Sequence, residues 1–270
     1  MKYWYFFFFF FLGLASAVQA QDNYEIQVYG AELVKPRETI LELHSNYTLN
    51  GFKQYSPDGM VPTQHVVHET IEITHGFTPW LEVGVYMFNS LGSDGRTAYV
   101  GSHVRPRIAA PLAWHWPVGV SFSAEYGFQK RMFAPNWETL ELRPIVDKQF
   151  GKWYAAFNPT FAKTFQGPDQ NRLIFSPNVK GSYEFNKTVA LGLEYYGSLG
   201  QVSQFESYAR QQHQLFLATD LNLAPQWEFN AGLGYGLTNA TERLIFKLIV
   251  GRTFGAGSKV PQPAPLPKPQ

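Results

Sequence analysis

Residues 118–129 read VGVSFSAEYGFQ, and the order of side chains in this stretch decides the fold. Val118, Val120, Phe122, Ala124, Tyr126 and Phe128 fall on one face of an extended chain, and Gly119, Ser121, Ser123, Glu125, Gly127 and Gln129 fall on the other. Successive side chains of a strand point to opposite faces, so this stretch has one apolar wall and one polar wall. The pattern recurs. Leu81, Val83, Val85 and Met87 oppose Glu82, Gly84 and Tyr86, and Val189, Leu191, Leu193 and Tyr195 oppose Ala190, Gly192 and Glu194. Trp227, Phe229, Ala231, Leu233 and Tyr235 oppose Glu228, Asn230, Gly232 and Gly234. Leu244, Phe246, Leu248 and Val250 continue the series, although Ile245 and Ile249 break the polar side of that strand.

The composition of the polar faces separates two all-β architectures. A soluble sandwich turns that face to bulk water and carries many Lys, Glu and Thr there. Here it is rich in Gly, Ser, Asn and Ala with scattered charges, and small residues suit the concave inside of a barrel. Strands of roughly 9–12 residues match tilted membrane-spanning strands. About twelve of them, with ten or fourteen as bounds, fit between residues 38 and 254. Their centres fall near Leu43, Ile71, Val85, Val104, Phe122, Leu142, Phe157, Pro177, Leu191, Leu217, Ala231 and Leu248. The sequence thus predicts an all-β fold, a transmembrane antiparallel up-and-down β-barrel over residues 38–254.

The connections alternate in length, as short periplasmic turns and longer outer loops do. His75–Trp80, Phe150–Lys152, Phe185–Lys187 and Asn222–Gln226 are short, whereas Asn50–Gln64, Asn89–Thr97, Lys130–Asn136, Gln166–Asn171 and Gly197–Gln211 are longer and more polar. Ala109–Pro117 is longer than its place in the series predicts. The short turns share aromatic residues. Trp80, Trp114, Trp116, Trp153 and Trp227, with Phe150 and Phe185, would sit at one level as a periplasmic aromatic girdle. The last strand, LIFKLIVGRTF, ends on Phe254, which resembles the terminal aromatic signal read by outer-membrane insertion machinery.

Composition narrows the function classes. Aromatic residues reach 17%, charged residues only 16%, and the formal net charge of +1 leaves no electrostatic footprint for nucleic acid. The absence of cysteine removes disulfides, thiolate metal sites and thiol catalysis. At the start, Lys2, the apolar run Phe6–Leu14 and the small-x-small pattern over Ala17–Ala20 read as a signal peptide over residues 1–20, with mature protein from Gln21. Residues 21–37 read as an N-terminal periplasmic segment or part of a first strand. Residues 255–270, with proline at alternate positions from Pro261 to Pro269, read as an extended periplasmic tail. Both termini are therefore expected in the periplasm of a barrel in the bacterial outer membrane.

The expected inward faces carry mixed charge. Arg105, Arg107, Glu125, Glu141, Arg143, Asp147 and Glu194 are the candidate lumen lining, either paired across strands or set as a basic ladder facing Glu125 and Glu141 in a constriction. No catalytic residue, metal site or cofactor is expected. No His has a Ser two positions away, and His44–Ser45 and Ser102–His103 are adjacent, hence on opposite faces. His65, His68 and His75 do not share a face at metal-binding spacing.

Trp80-Leu81-Glu82-Val83-Gly84, and Glu141-Leu142-Arg143-Pro144 followed by Phe150-Gly151-Lys152-Trp153, resemble an outer-membrane β-barrel family named for the meta-pathway of phenol degradation. Arg105-Pro106, Asn158-Pro159 and Ser176-Pro177 are further shared features. The resemblance covers most of the mature chain and carries no catalytic signature. It implies passage of small, apolar or aromatic compounds, a substrate class that comes from the family name. The residues themselves point to a narrow passive channel for a small-molecule solute, partnered by outer-membrane lipid and, during biogenesis, the insertion machinery. The alternatives are a non-conducting structural or adhesive barrel and, behind it, a barrel lipid hydrolase.

Overall fold

The computed structural model describes residues 23–255. Its strands are β1 (Thr39–Asn50), β2 (Val67–Thr78), β3 (Leu81–Leu91), β4 (Thr97–Ala109), β5 (Gly119–Gln129), β6 (Glu138–Phe150) and β7 (Trp153–Gln166). They continue with β8 (Leu173–Glu184), β9 (Val189–Ser198), β10 (Gly200–Gln201), β11 (Gln204–Phe205), β12 (Gln212–Leu221), β13 (Trp227–Gly236) and β14 (Leu244–Phe254). β10 and β11 are two-residue strands in one long loop, so twelve long strands remain. Each expected centre falls inside one of them.

Every long strand runs antiparallel to its neighbours, and β9 pairs with both β8 and β12. β1 pairs with β14 from Thr39↔Phe254 onward, which closes the sheet. The one described helix is a single 3-10 turn, Leu112–Trp114, in the over-long connection between β4 and β5. No helix among the described residues is long and apolar enough to cross a membrane. Crossing by strands requires closure, because an open edge would leave unpaired backbone groups in hydrocarbon.

The burial pattern is the reverse of a soluble barrel's outer face. On β1 the charged and polar side chains of Glu42, His44 and Asn46 are buried, while Leu41 and Leu43 are exposed. Ile73, Val85, Leu193, Leu217 and Phe246 extend the exposed apolar band around the barrel. A continuous apolar surface on this scale is stable against lipid and not against water. Trp80, Trp114, Trp116 and Trp153, with Phe150 and Phe185, are exposed at the short-turn end, and half-buried Trp227 lies with them.

The strand prolines point outward with this band. Pro159 and Pro177 face each other across β7 and β8. The β4–β5 ladder skips Arg105 and Pro106, and the β6–β7 ladder skips Arg143 to Ile145 around Pro144. Proline has no N–H to give, and these two ladders lapse around Pro106 and Pro144, whereas β7 and β8 stay in register through Pro159 and Pro177.

The lumen is where structure and sequence expectation part. Residues 23–36 do not lie outside the barrel as a periplasmic segment. Tyr24, Ile26, Val28, Tyr29, Ala31, Leu33 and Val34 are buried inside it. Asn23 contacts Asn46 and Glu242 at the long-loop end, and Pro36 bridges Gly76 at the short-turn end. The segment thus traverses the lumen, and Asn23 and Phe254 lie at opposite ends of the barrel, so the expectation of both termini on one side does not describe these residues. Arg37, with φ at 65°, turns the chain back into β1. Gly76 makes room for the crossing: a Cβ there would lie 2.2 Å from the Lys35 carbonyl oxygen.

The physical reason lies in off-pattern inward residues. Ile26 and Val28 pack with Ala156, Tyr196, Phe216 and Ile245. Tyr24 packs with Tyr86, Phe88 and Val100, while Tyr29 and Ala31 pack with Ile145. Ile245, one of the two isoleucines that break the polar face of β14, belongs to this inner core, and Ile249 is buried beside it on the same face. The expected signal peptide (residues 1–20) and most of the Pro-rich tail (255–270) lie outside the described residues.

The outward band makes a stability prediction. Leu217, 55% exposed on β12, faces outward, and Leu217→Arg should cost about 2–4 kcal/mol if it lies near the bilayer midplane. Urea unfolding of protein refolded into lipid vesicles measures this. A change within about 0.5 kcal/mol, typical of water-exposed sites, would contradict the lipid-facing assignment.

Candidate functional site: the lumen and its plug

The plug belongs to no sheet, so its backbone groups need side-chain partners from the inward wall. They find them at every level. Near the long loops, Asn46 Nδ2 donates to Asn23 O (2.8 Å) and Thr70 Oγ1 donates to Tyr24 O (2.6 Å). Asn23 Nδ2 donates to Glu242 Oε1 (2.8 Å), whose carboxyl is raised above its usual range by burial in the β13–β14 loop. At mid-height Tyr29 N donates to Asn158 Oδ1 (2.7 Å), and Asn158 Nδ2 donates back to Tyr29 O (3.0 Å). One amide side chain therefore satisfies both backbone groups of Tyr29, as a neighbouring strand would. Lower down, Ala31 N donates to Asp147 Oδ2 (3.2 Å) and Val34 N to Glu82 Oε2 (2.7 Å). Arg107 donates to Gly30 O (3.1 Å) and Glu32 O (2.9 Å), and Lys247 Nζ to Ile26 O (3.2 Å).

Tyr29 is the centre of the charged waist. The guanidinium carbons of Arg105, Arg143 and Arg107 lie 4.3, 5.1 and 5.6 Å from its ring centroid. A guanidinium within about 6 Å of a ring centroid is attracted by the ring quadrupole, more strongly when desolvated. Each arginine also holds a carboxylate. Arg105 binds Glu72 at 2.7 Å, Arg107 binds Glu82 at 2.7 Å, and Arg143 binds Glu25 and Glu141 at 3.0 Å each. Glu25 belongs to the plug, and it also accepts a hydrogen bond from the Tyr29 hydroxyl.

All seven candidate lining residues project into the interior. Glu125 lies 2.6 Å from His103 Nδ1 and 3.9 Å from Arg143. Asp147 accepts from Ala31 N and from the Tyr154 hydroxyl. Glu194 binds Lys180 at 3.2 Å and also pairs with Lys247. The three arginines are therefore not an open ladder across a water-filled constriction: they are spent on acidic partners and on the plug. Tyr24, Tyr29 and Asn158 were not among the sequence candidates. The signal for them was present in the alternating Tyr24-Glu25-Ile26-Gln27-Val28, and in Phe88, Ile145 and Phe216, apolar residues that a wet lumen does not need.

Above the plug, on the long-loop side, is a cavity of about 790 Å³. Tyr24, Glu25, His103, Glu125 and Arg143 line it together with Phe52, Tyr55, Val66 and Phe133 from loops and the upper wall. This vestibule combines apolar walls with a few convergent polar groups, the usual makeup of a small-molecule site.

The serines beside histidines form bonds elsewhere: Ser45 donates to Glu69 at 2.7–2.8 Å, and Ser102 shares a hydrogen bond with Tyr99 at 2.7 Å. His65 stacks on Tyr47, His75 bonds Thr39, and His68 packs edge-on against Tyr24, so these three histidines are separated.

No protein-family model matches the sequence, and no curated protein matches it significantly. Solved structures do match the fold. An outer-membrane channel from Pseudomonas putida F1 superposes with a TM-score of 0.58 at 12% identity, covering 85% of this chain and 100% of that one. The NanC porin gives 0.53 at 10% identity over 80% of this chain and 100% of its own. The KdgM porin gives 0.51 at 10% identity over 80% and 99%. At such identities the likeness establishes the outer-membrane barrel fold that these proteins share with this chain.

The bidentate grip on Tyr29 is testable. Asn158→Leu leaves two buried backbone groups without partners, at about 1–3 kcal/mol each. The Tyr29 amide should then exchange hydrogen at least ~10-fold faster, while central strand amides keep their protection. Unchanged exchange at Tyr29 would show that the plug is held by packing alone.

Proposed function

We propose that this protein is a narrow passive channel of the bacterial outer membrane for small solutes, closed at rest by its own residues 23–36. The observation that carries this reading is the plug itself. It fills the lumen, yet apart from the Pro36–Gly76 bridge it shares no ladder with the barrel and is held by side chains. Such a segment can shift without breaking the sheet that spans the membrane.

The long loops face outward in this reading, and the short turns, aromatic rim and Phe254 face the periplasm. Solute enters the vestibule and meets Tyr24 and Glu25 as its floor. Tyr24, Phe133 and Val66 give that floor an apolar side, which supports the small apolar or aromatic compounds implied by the family resemblance. Glu125, Glu141 and Arg143 would tune which solutes pass. The barrel acts alone, without cofactor or catalysis, in contact with outer-membrane lipid, and its terminal Phe254 serves recognition by the insertion machinery. The filled lumen favours one second reading, a non-conducting barrel whose long loops carry the function.

Locking the plug separates the two. An ideal Cβ built on Gly119 lies 3.0 Å from the Ala31 Cβ, so a disulfide, with its Cβ atoms about 3.5–4.5 Å apart, needs the plug to give by several tenths of an ångström and the Asp147 carboxylate, 2.1 Å from that Cβ, to swing aside. The chain has no native cysteine, so Ala31→Cys with Gly119→Cys gives a single defined crosslink. In planar bilayers the oxidised protein should be silent and the reduced protein should show discrete conductance steps. Equal conductance in both states would place the path beside a fixed plug. Silence in both, and in wild type shown to be inserted, would favour the non-conducting barrel. Once steps are seen, Arg105→Ala and Arg143→Ala should shift the reversal potential in a salt gradient, and no shift in either would remove these arginines from the path.

A further inference from the structure

One row of residues around the inner wall is out of electrostatic balance. The ladder registers place Tyr86, Glu72, Glu42, Gly251 and Glu228 side by side on β3, β2, β1, β14 and β13. Glu42 and Glu72 are directly opposed and both buried. Like charges at such positions repel, and low dielectric makes that repulsion costly. Glu72 and Glu82 are answered by Arg105 and Arg107. Glu42 and Glu228 form no ion pair with a cation among the described residues. Two carboxyl groups in one row are thus left without a cation partner.

His44 projects from the same face of β1 as Glu42, two positions along, and is fully buried. Neither of its ring nitrogens has a hydrogen-bond partner. Its Nε2 lies 3.4 Å from Glu72 Oε2, an oxygen that also lacks a hydrogen bond. The other oxygen of the same carboxylate is saturated. Glu72 Oε1 accepts from Thr74 Oγ1 (2.7 Å), Tyr86 OH (2.9 Å) and Arg105 Nη2 (2.7 Å). These donors hold the carboxylate in place and turn its free oxygen toward His44. Outer partners orient metal ligands in this manner, and the unbonded Nε2 of His44 stands beside the free oxygen of that carboxylate.

We propose that Glu42, His44 and Glu72 bind a divalent first-row transition-metal ion in the lumen wall. One ligand atom from each lies within 4.8 Å of the other two. An ion at their centre would need each atom to move by less than about 1 Å to reach the ~2.0–2.2 Å typical of zinc with nitrogen and oxygen ligands. Two carboxylates and one imidazole suit zinc, iron or manganese better than calcium or magnesium, which take oxygen alone. A divalent ion would give Glu42 the cation partner it lacks. Gly251 keeps the row open beside Glu42, since a Cβ there would meet Glu42 Cγ at 2.9 Å. The ion would staple β1 to β2 just after the chain leaves the plug and turns at Arg37. The proposal stands apart from conduction, and its test does not read conductance.

The experiment uses the full mature chain, refolded in chelator and desalted, with Co²⁺ as optical probe and Zn²⁺ as competitor. Wild type should take up about one Co²⁺ per chain, with visible d–d bands that one equivalent of Zn²⁺ removes. Zn²⁺ should also raise the thermal unfolding midpoint. Glu42→Gln and His44→Gln should each weaken binding by at least ~10-fold and abolish the stabilisation. Folding of each variant is read from its far-UV spectrum and its resistance to unfolding in cold detergent. Should His44→Gln not fold, Glu42→Gln and the wild-type Co²⁺ spectrum decide. No stoichiometric uptake by wild type would overturn the site and leave His44 and Glu72 as a simple ion pair. Equal uptake by Glu42→Gln would overturn it too, moving the metal to other groups such as the exposed His65.

Discussion

The pairing of β1 with β14 is the constraint on which everything else rests. Hydrocarbon offers no partner for a backbone N–H or carbonyl, so a sheet can cross it only when its first and last strands meet. Once Thr39 faces Phe254 and the ladder runs on to Asn50, the two sides of every strand acquire fixed fates. One side faces lipid and must be apolar. The other faces the lumen, and whatever polar or charged residue stands there is enclosed.

That enclosure explains the plug. A lumen lined by Glu42, Glu72, Glu82, Arg105, Arg107, Arg143, Glu194 and Lys247 has to satisfy its charges either with water or with protein. Here much of the answer is protein. Residues 23–36 bring backbone carbonyls to Arg107 and Lys247, backbone N–H groups to Asp147, Glu82 and Asn158, and a carboxylate to Arg143. In return the inner wall supplies the partners that a sheet neighbour would have given the segment. The apolar inward residues Tyr86, Phe88, Tyr196, Phe216 and Ile245 complete the fit. The barrel is inside-out by soluble standards, but around the plug it contains a small core of ordinary kind.

This arrangement links energetics to function through a difference in bonding. The wall is tied by continuous ladders, whereas the plug is tied by individual hydrogen bonds and ion pairs of modest net worth. Local opening draws on the weakest-held elements of a structure. In the proposed reading, the segment beneath the vestibule of about 790 Å³ is the part that shifts while the membrane-spanning wall stays intact. The channels and porins that share the fold do so at 10–12% identity, so their likeness speaks for the barrel and not for this filling.

The sequence by itself determined the wall. Alternation in stretches such as Val118–Gln129 is a local property with period two, and it gives a count of about twelve strands, the face assignment and the inward direction of Arg105, Arg143 and Glu194 without knowledge of any neighbour. The aromatic short turns were legible for the same reason. Only the tertiary structure decided what fills the wall. Residues 23–36 carry a short alternating pattern that suits a strand, a plug or a tail equally well, and their partners Asn158, Asp147 and Lys247 are more than a hundred positions away. Likewise, Glu42 and Glu72 meet through the register of β1 on β2 across a long loop. Register and enclosure are relations between strands, and no single strand's composition contains them.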